Sequence, residues 1–279
     1  MFTTLISAEE LAANLRKPDW AIFDCRHDLA DYEHGRRAYR ESHIPGAAFV
    51  HLDEDLSGPK TGGNGRHPLP HSRTFALRLG ALGVGNTTQV VAYDASGGYY
   101  GARLWWMLRW LGHTRVAVLD GGWQRWTQRG FEVSTEVPVP QPTTFAILAR
   151  PRAAVDAAFV ASHLDDAKTL VVDARSPDRF RGENETLDPV AGHIPGAANR
   201  FFRLNLAEDG SFKPPERLRG EFEALLGGRE AAAVVHQCGS GVTACHNLLA
   251  MEHAGLAGSR LYPGSWSEWV SDRSRPVTR

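Results

Sequence analysis

Cysteine is scarce here, with Cys25, Cys238 and Cys245 the only three in 279 residues. An odd number at these spacings excludes a disulfide framework and a paired CxxC metal site, so reduced thiols are expected. An excess of one charge is lacking too. Lys+Arg of 31 against Asp+Glu of 32 leave a formal net charge of -1, which removes any global pull toward nucleic acid or an anionic membrane. No uninterrupted apolar run reaches the roughly 18 residues of a membrane-spanning helix. The opening Met1-Phe2-Thr3-Thr4-Leu5-Ile6-Ser7-Ala8-Glu9-Glu10 has neither the basic region nor the apolar stretch of a secretory signal. A cytoplasmic enzyme or binding protein is expected. What is present is ordinary: 42% hydrophobic and 23% charged residues, in a length that suggests two domains at about 150 residues each.

The chain repeats itself. Phe23-Asp24-Cys25-Arg26 followed by Ser42-His43-Ile44-Pro45-Gly46-Ala47-Ala48 is answered by Val172-Asp173-Ala174-Arg175 and Gly192-His193-Ile194-Pro195-Gly196-Ala197-Ala198, at offsets of 149 and 150. Further on, Val118-Leu119-Asp120-Gly121-Gly122-Trp123 is answered by Leu261-Tyr262-Pro263-Gly264-Ser265-Trp266 at an offset of 143. Conserved order over such a period means a duplicated domain. Between the copies, Val137-Pro138-Val139-Pro140-Gln141-Pro142 reads as an extended connector. Within them, runs such as Gln89-Val90-Val91-Ala92-Tyr93 and Ala233-Val234-Val235-His236 read as buried strands. Ser7-Ala8-Glu9-Glu10 is a capping box, and Gly112 is a stop for the helix through Arg103–Leu111. Alternating strands and helices imply two α/β domains with mainly parallel sheets.

Cys238 follows directly on one of these strands, and Gly239-Ser240-Gly241-Val242-Thr243 leads from it into the helical-looking Ala244–Met251. Ligands of open α/β sheets bind at that strand edge, and the two glycines let a tight loop turn its amides toward the sulfur. Convergent amides and a helix N-terminus stabilise an anion, whether a thiolate, a persulfide or an oxyanion. A lone cysteine is ordinarily inert core, which is the reading for Cys25 and Cys245. Six positions after Cys238 stands Ala244, where a Cys-loop phosphatase carries its phosphate-gripping arginine, so phosphoryl transfer loses its main stabiliser. His43 and His193 recur in both copies and are read as structural, as are the pairs Asp24 with Arg26 and Asp173 with Arg175; Arg175 is also held as a minor site candidate.

These marks, the paired His-Ile-Pro-Gly-Ala segments and the cysteine loop, resemble the two-domain rhodanese-type sulfurtransferases over about Ser7 to Val270. The resemblance implies two tandem rhodanese-like α/β domains, each a mainly parallel sheet flanked by helices. Residues 1–140 would be the non-catalytic one, with Asp94 at the cysteine position, and 141–279 the catalytic one. It implies that Cys238 takes a sulfur from a small-molecule donor and passes it as a persulfide to a thiol such as thioredoxin, or to cyanide, with neither a metal nor an organic cofactor. Gly239 and Ser240, standing where thiosulfate enzymes carry Arg and Lys, make the loop similar to that of the 3-mercaptopyruvate sulfurtransferases. Less positive charge suits a monoanionic mercapto acid better than a dianion. Thiosulfate is the alternative donor, and a non-catalytic binding module is the alternative of another class.

The family also places an arginine on the donor carboxylate, and Arg179 in Asp178-Arg179-Phe180-Arg181-Gly182 matches it, with a planar fork suited to that group. Gly239, Gly241, Val242 and Thr243 are expected to line the donor site. Many mercaptopyruvate enzymes have a second arginine soon after; here Glu183–Pro189 has none, and Arg200 and Arg203 are candidate substitutes, with a surface charge the equal alternative for each. A Ser-His-Asp relay would use Ser240, with Asp53 as the acid and His67 as the imidazole, both contributed by the first domain. The alternative for His67 is a surface histidine beside the flexible Gly58–Gly65 loop. The first domain would wall the catalytic cleft, with Trp105, Trp106, Trp110 and Trp123 as core or domain interface.

Overall fold

The computed structural model describes residues 1–148 and 153–279. The chain forms two compact units, one from Met1–Gly58, Pro70–Arg150 and Glu208–Phe212, the other from Pro59–Leu69, Pro151–Ala207 and Lys213–Arg279.

The first unit runs β1 (Leu5–Ile6), α1 (Ala8–Ala12), β2 (Trp20–Asp24), α2 (His34–Glu41), β3 (Ala47–Phe49), α3 (Ser72–Ala81), β4 (Gln89–Tyr93), α4 (Tyr99–Trp110), β5 (Val116–Leu119) and α5 (Gly122–Gln128). Its strands are all parallel, in the order β1-β5-β4-β2-β3. All five residues of β4 are buried, as a strand covered on both faces requires. The capping box is present, with Ser7 Oγ accepting the Glu10 N–H and Glu10 accepting the Ser7 N–H. Helix α4 ends before Gly112, whose φ of 91° reverses the chain.

The second unit runs α6 (Ala157–Ser162), β6 (Leu170–Asp173), α7 (Pro177–Phe180), β7 (Ala198–Asn199), α8 (Pro215–Leu226), β8 (Val234–Gln237), α9 (Ala244–His253), β9 (Arg260–Leu261) and α10 (Ser265–Trp269). Again every strand pair is parallel, in the order β7-β6-β8-β9. The counterpart of β1 is a single parallel bridge, Ala154 to Leu261.

Internal duplication extends to individual bonds. Arg26 grips Asp24 through Nε and Nη2, donates to the Ser42 carbonyl and lies over the Trp123 ring; Arg175 does the same with Asp173, the Gly192 carbonyl and Trp266. His43 stacks on Tyr39 and His193 on Phe180, each 2.7–2.8 Å through Nδ1 from that residue's own carbonyl. Ile44 and Ile194, next in each motif, sit at 0% exposure in the two apolar cores.

Two boundaries differ from the sequence reading. Residues 141–148, expected after the boundary, hydrogen-bond into the first unit: the Thr143 N–H donates to the Gly80 carbonyl and the Leu148 N–H to the Leu111 carbonyl. Pro59–Leu69, expected in the first domain, groups with the second unit. A proline connector marks where the chain is extended and does not by itself decide which core an extended strip lies against.

Candidate active site

Strand β8 lies between β6 and β9, beside β6, the strand at which the chain order of the sheet reverses, and Cys238 is the first residue past the C-terminal end of β8. That is the edge at which an open parallel sheet leaves room for a ligand. The loop is tight for definable reasons. Gly241 has φ of +78°, and a Cβ there would run into the Pro263 carbonyl oxygen, so only glycine fits; its N–H points back to Cys238 Sγ at 3.1 Å. From the other side, Ser265 Oγ accepts the Cys238 N–H at 3.1 Å, while the Trp266 and Ser267 N–H groups donate to the carbonyls of Cys238 and Gly239. Ser265 is the only non-glycine with positive φ among the described residues, at 55°, a conformation most side chains avoid. Helix α9 begins at Ala244 and adds the positive end of its dipole.

The first copy shows what such a loop holds. Asp94, at the position of Cys238, is fully buried, and its carboxylate accepts four backbone N–H groups, from Ser96, Gly98, Tyr100 and Gly101, at 2.7–2.9 Å. Burial pushes this carboxyl above the usual range, and the four amides offset part of that rise. The Trp123 N–H donates to the Asp94 carbonyl as Trp266 does to Cys238, so the two loops share one scaffold. One copy cradles a carboxylate, the other a sulfur.

The structure brings His67 and Ser240 together: His67 Nδ1 is 2.8 Å from Ser240 Oγ, with both residues nearly buried. His67 thus belongs with the second unit and not, as expected, with the first domain. Its strip is tied down there by the Arg66 N–H, which donates to Ser267 Oγ at 3.0 Å, and by an Arg66–Asp188 ion pair. Asp53 lies in the first unit, where its carboxylate is 3.8 Å from His27 Nε2 and its N–H donates to His51 Nδ1. His27, His51 and Asp53 gather donor atoms within 4.8 Å, but both His51 ring nitrogens already engage the backbone, at Asp53 and Tyr32, which is a poor start for a metal site.

Val242 is buried in the loop and Thr243 is the residue before α9; their carbonyls accept the N–H groups of Cys245 and His246. Arg179 is held by Glu185 through Nε and Nη2 at 2.8–3.1 Å, and Nη2 and Nη1 stand 3.5 and 3.7 Å from where a Gly239 Cβ would be. Arg200 and Arg203 do not supply the missing second arginine. Glu221 takes Arg200 at 2.6 Å, and Arg203 lies toward the Phe202 ring. Arg66 is the guanidinium at the loop, its Nη2 2.9 Å from the same Gly239 Cβ position. Sequence reasoning passed over it because an arginine in a glycine-rich loop is ordinarily solvated; its place directly before His67 was the available signal. Arg175 is buried on Asp173 and Glu185, a structural pairing. Cys25 and Cys245 are buried; burial, then the carboxylates of Asp94, Asp24 and Asp55, push the Cys25 thiol well up, which keeps it protonated and unreactive.

The model of the rhodanese-like domain matches residues 7–129 and again 156–272. The chain belongs to the rhodanese-like family. Among its relatives, a Pseudomonas aeruginosa protein named "Probable 3-mercaptopyruvate sulfurtransferase" is 47% identical, over 98% of this chain and 97% of that one. The thiosulfate sulfurtransferase of Bos taurus is 34% identical, over 100% and 95%. In structure, the 3-mercaptopyruvate sulfurtransferase of Leishmania major superposes with a TM-score of 0.86 at 31% identity, over 96% of this chain and 74% of that one. Both rhodanese-like copies and their parallel sheets agree with the expected fold.

Proposed function

We infer that this protein is a sulfurtransferase that moves a sulfane sulfur from 3-mercaptopyruvate, through a persulfide on Cys238, to a thiol acceptor. The observation that carries the reading is the Cys238 sulfur held in an amide-lined loop beside the Ser240–His67 pair, with two arginine forks at the following glycine. The Cys238 thiolate attacks the donor's thiol sulfur. A new S–S bond forms, the donor C–S bond breaks, and its electron pair departs on carbon as the enolate of pyruvate. Protonation of that carbon completes pyruvate, and we assign the relay of this proton to the Ser240–His67 pair, whose hydrogen bond supports the role. A thiolate then attacks the outer sulfur, and the S–S bond breaks to return Cys238 as a thiolate. A dithiol protein such as thioredoxin suits this second half, and cyanide serves as a simple substitute.

The amide at Gly241 and the end of α9 supply negative-charge stabilisation to thiolate and persulfide alike. Three free cysteines suit a reducing compartment, and we assign the protein to the cytoplasm on that ground. Among the described residues no helix is long and apolar enough to cross a membrane.

The test is sulfur transfer to one thiol acceptor from 3-mercaptopyruvate and from thiosulfate in parallel, with mass spectrometry of the protein after each donor. Expected is preference for 3-mercaptopyruvate, a gain of one sulfur atom on Cys238, and loss of both in Cys238→Ser. Activity that survives in Cys238→Ser would remove Cys238 as the carrier. Preference for thiosulfate would transfer the assignment to that donor.

A further inference from the structure

Two guanidiniums converge at Gly239, the residue after the nucleophile. A Cβ on this residue would stand 2.9 Å from Arg66 Nη2 and 3.5 Å from Arg179 Nη2. Each arginine is matched by a carboxylate: Glu185 holds Arg179, and Asp188 pairs with Arg66 through Oδ1. Asp188 also reaches the other fork, with Oδ2 at 3.6 Å from Arg179 Nη2. Its side chain is only 3% exposed, and Oδ2 has no hydrogen-bond donor among the described residues. Glu185 differs, since it is further satisfied by the N–H groups of Leu187 and Asp188. The four side chains therefore sum to no net charge, and Asp188 is the one whose anionic oxygen is least neutralised.

We propose that the Arg66–Asp188 pair sets which donor the site accepts: Arg66 is the second arginine for the donor's anionic head, and Asp188 tunes the site to one negative charge and against two. The proposal rests on the sulfurtransferase reading above. Arg66 presents Nη2 toward the loop while Asp188 holds Nη1, so a planar carboxylate can meet Nη atoms from both forks. A monoanionic 2-oxo acid meets two donors and one repelling carboxylate oxygen. A dianion such as thiosulfate meets the same donors and doubles the repulsion from Asp188. Gly239 is part of the device, because any side chain there would displace Arg66.

Asp188→Asn, which keeps the shape and removes the charge, is expected to raise kcat/KM for thiosulfate relative to 3-mercaptopyruvate about tenfold, the effect of one unit charge at about 6 Å in a half-solvated site. Arg66→Gln, on a side chain 29% exposed and tolerant of change, is expected to raise KM for 3-mercaptopyruvate about tenfold. The rate of Cys238 alkylation by neutral iodoacetamide should stay within about twofold, which separates lost donor binding from damage to the loop. Equal response of both donors to Asp188→Asn, or an unchanged KM in Arg66→Gln, overturns the proposal while wild-type turnover keeps the functional reading. No turnover or persulfide in the wild type overturns both. If Asp188→Asn fails to fold, the KM of Arg66→Gln decides alone.

Discussion

His236 stands on β8 two residues before Cys238, wholly buried, with Nε2 3.1 Å from Met251 Sδ. Burial alone lowers its pKa to about 3, so the ring stays neutral throughout the physiological range. In the unfolded chain it titrates near 6.5. Between those values the unfolded state binds a proton that the folded state refuses, so stability falls as pH drops from about 6.5 toward 3. The slope from this one group approaches about 1.4 kcal/mol per pH unit. His236→Leu, similar in bulk, should move the midpoint of acid unfolding to lower pH, followed by tryptophan fluorescence; an unmoved midpoint would mean other groups drive acid loss. At this scale the sequence was legible where residues are neighbours in the chain. Cys238, Gly239, Ser240 and Gly241 form one contiguous word. Arg66 and Asp188 were not legible, since they lie 122 positions apart and neither carries a local pattern that announces the other. Ser265 was equally hidden, because its value lies in a left-handed backbone angle that the first copy meets with Gly122 at the same φ of 55°.

Helix α8 shows how an element is fixed by charge as well as by its apolar face. Leu218, Phe222 and Leu226 are buried at helical spacing, and on the flank Glu221 meets Arg200 at 2.6 Å, Lys213 at 2.8 Å and Arg217 at 3.2 Å. Burial would raise the Glu221 carboxyl, but Lys213, Arg200 and Arg217 together pull it down to about 2. A carboxylate depressed in the folded state stabilises above its unfolded value near 4.3 and ceases to as pH falls toward 2. Glu221→Gln should cost about 1–2 kcal/mol at neutral pH, after discount for partial exposure, and nothing near pH 2. Urea denaturation at the two pH values measures the difference; an equal loss at both would assign it to packing. Helices α1 and α4 were readable beforehand from the capping box at Ser7 and the stop at Gly112, and strands β4 and β8 from their β-branched runs; α8 was not read. The allegiance of the strip at residues 59–69 was not. Glycine, proline and polar residues mark it as loop, and only its bonds to Ser240 and Ser267 reveal which core it serves.

As a whole, the molecule is one ancestral domain written twice and kept twice, with the same Asp–Arg pair under the same tryptophan in each copy. That level was plain from the repeated motifs, since duplication leaves its mark on sequence order itself. What the repeats could not convey is how thoroughly the first loop is filled. Asp94 is a tethered occupant: its carboxylate is covalently part of the chain and already saturates four amides, so a free ion has to displace a ligand held at high effective concentration. Two loops of common descent should therefore titrate as one. Calorimetry with sulfite or pyruvate should find a stoichiometry of about one anion per chain, unchanged in Cys238→Ser, and a second equivalent would show the first loop to be open. The first loop is thus a receptor already bound to its own ligand, and mass action is what a solute would have to overcome there.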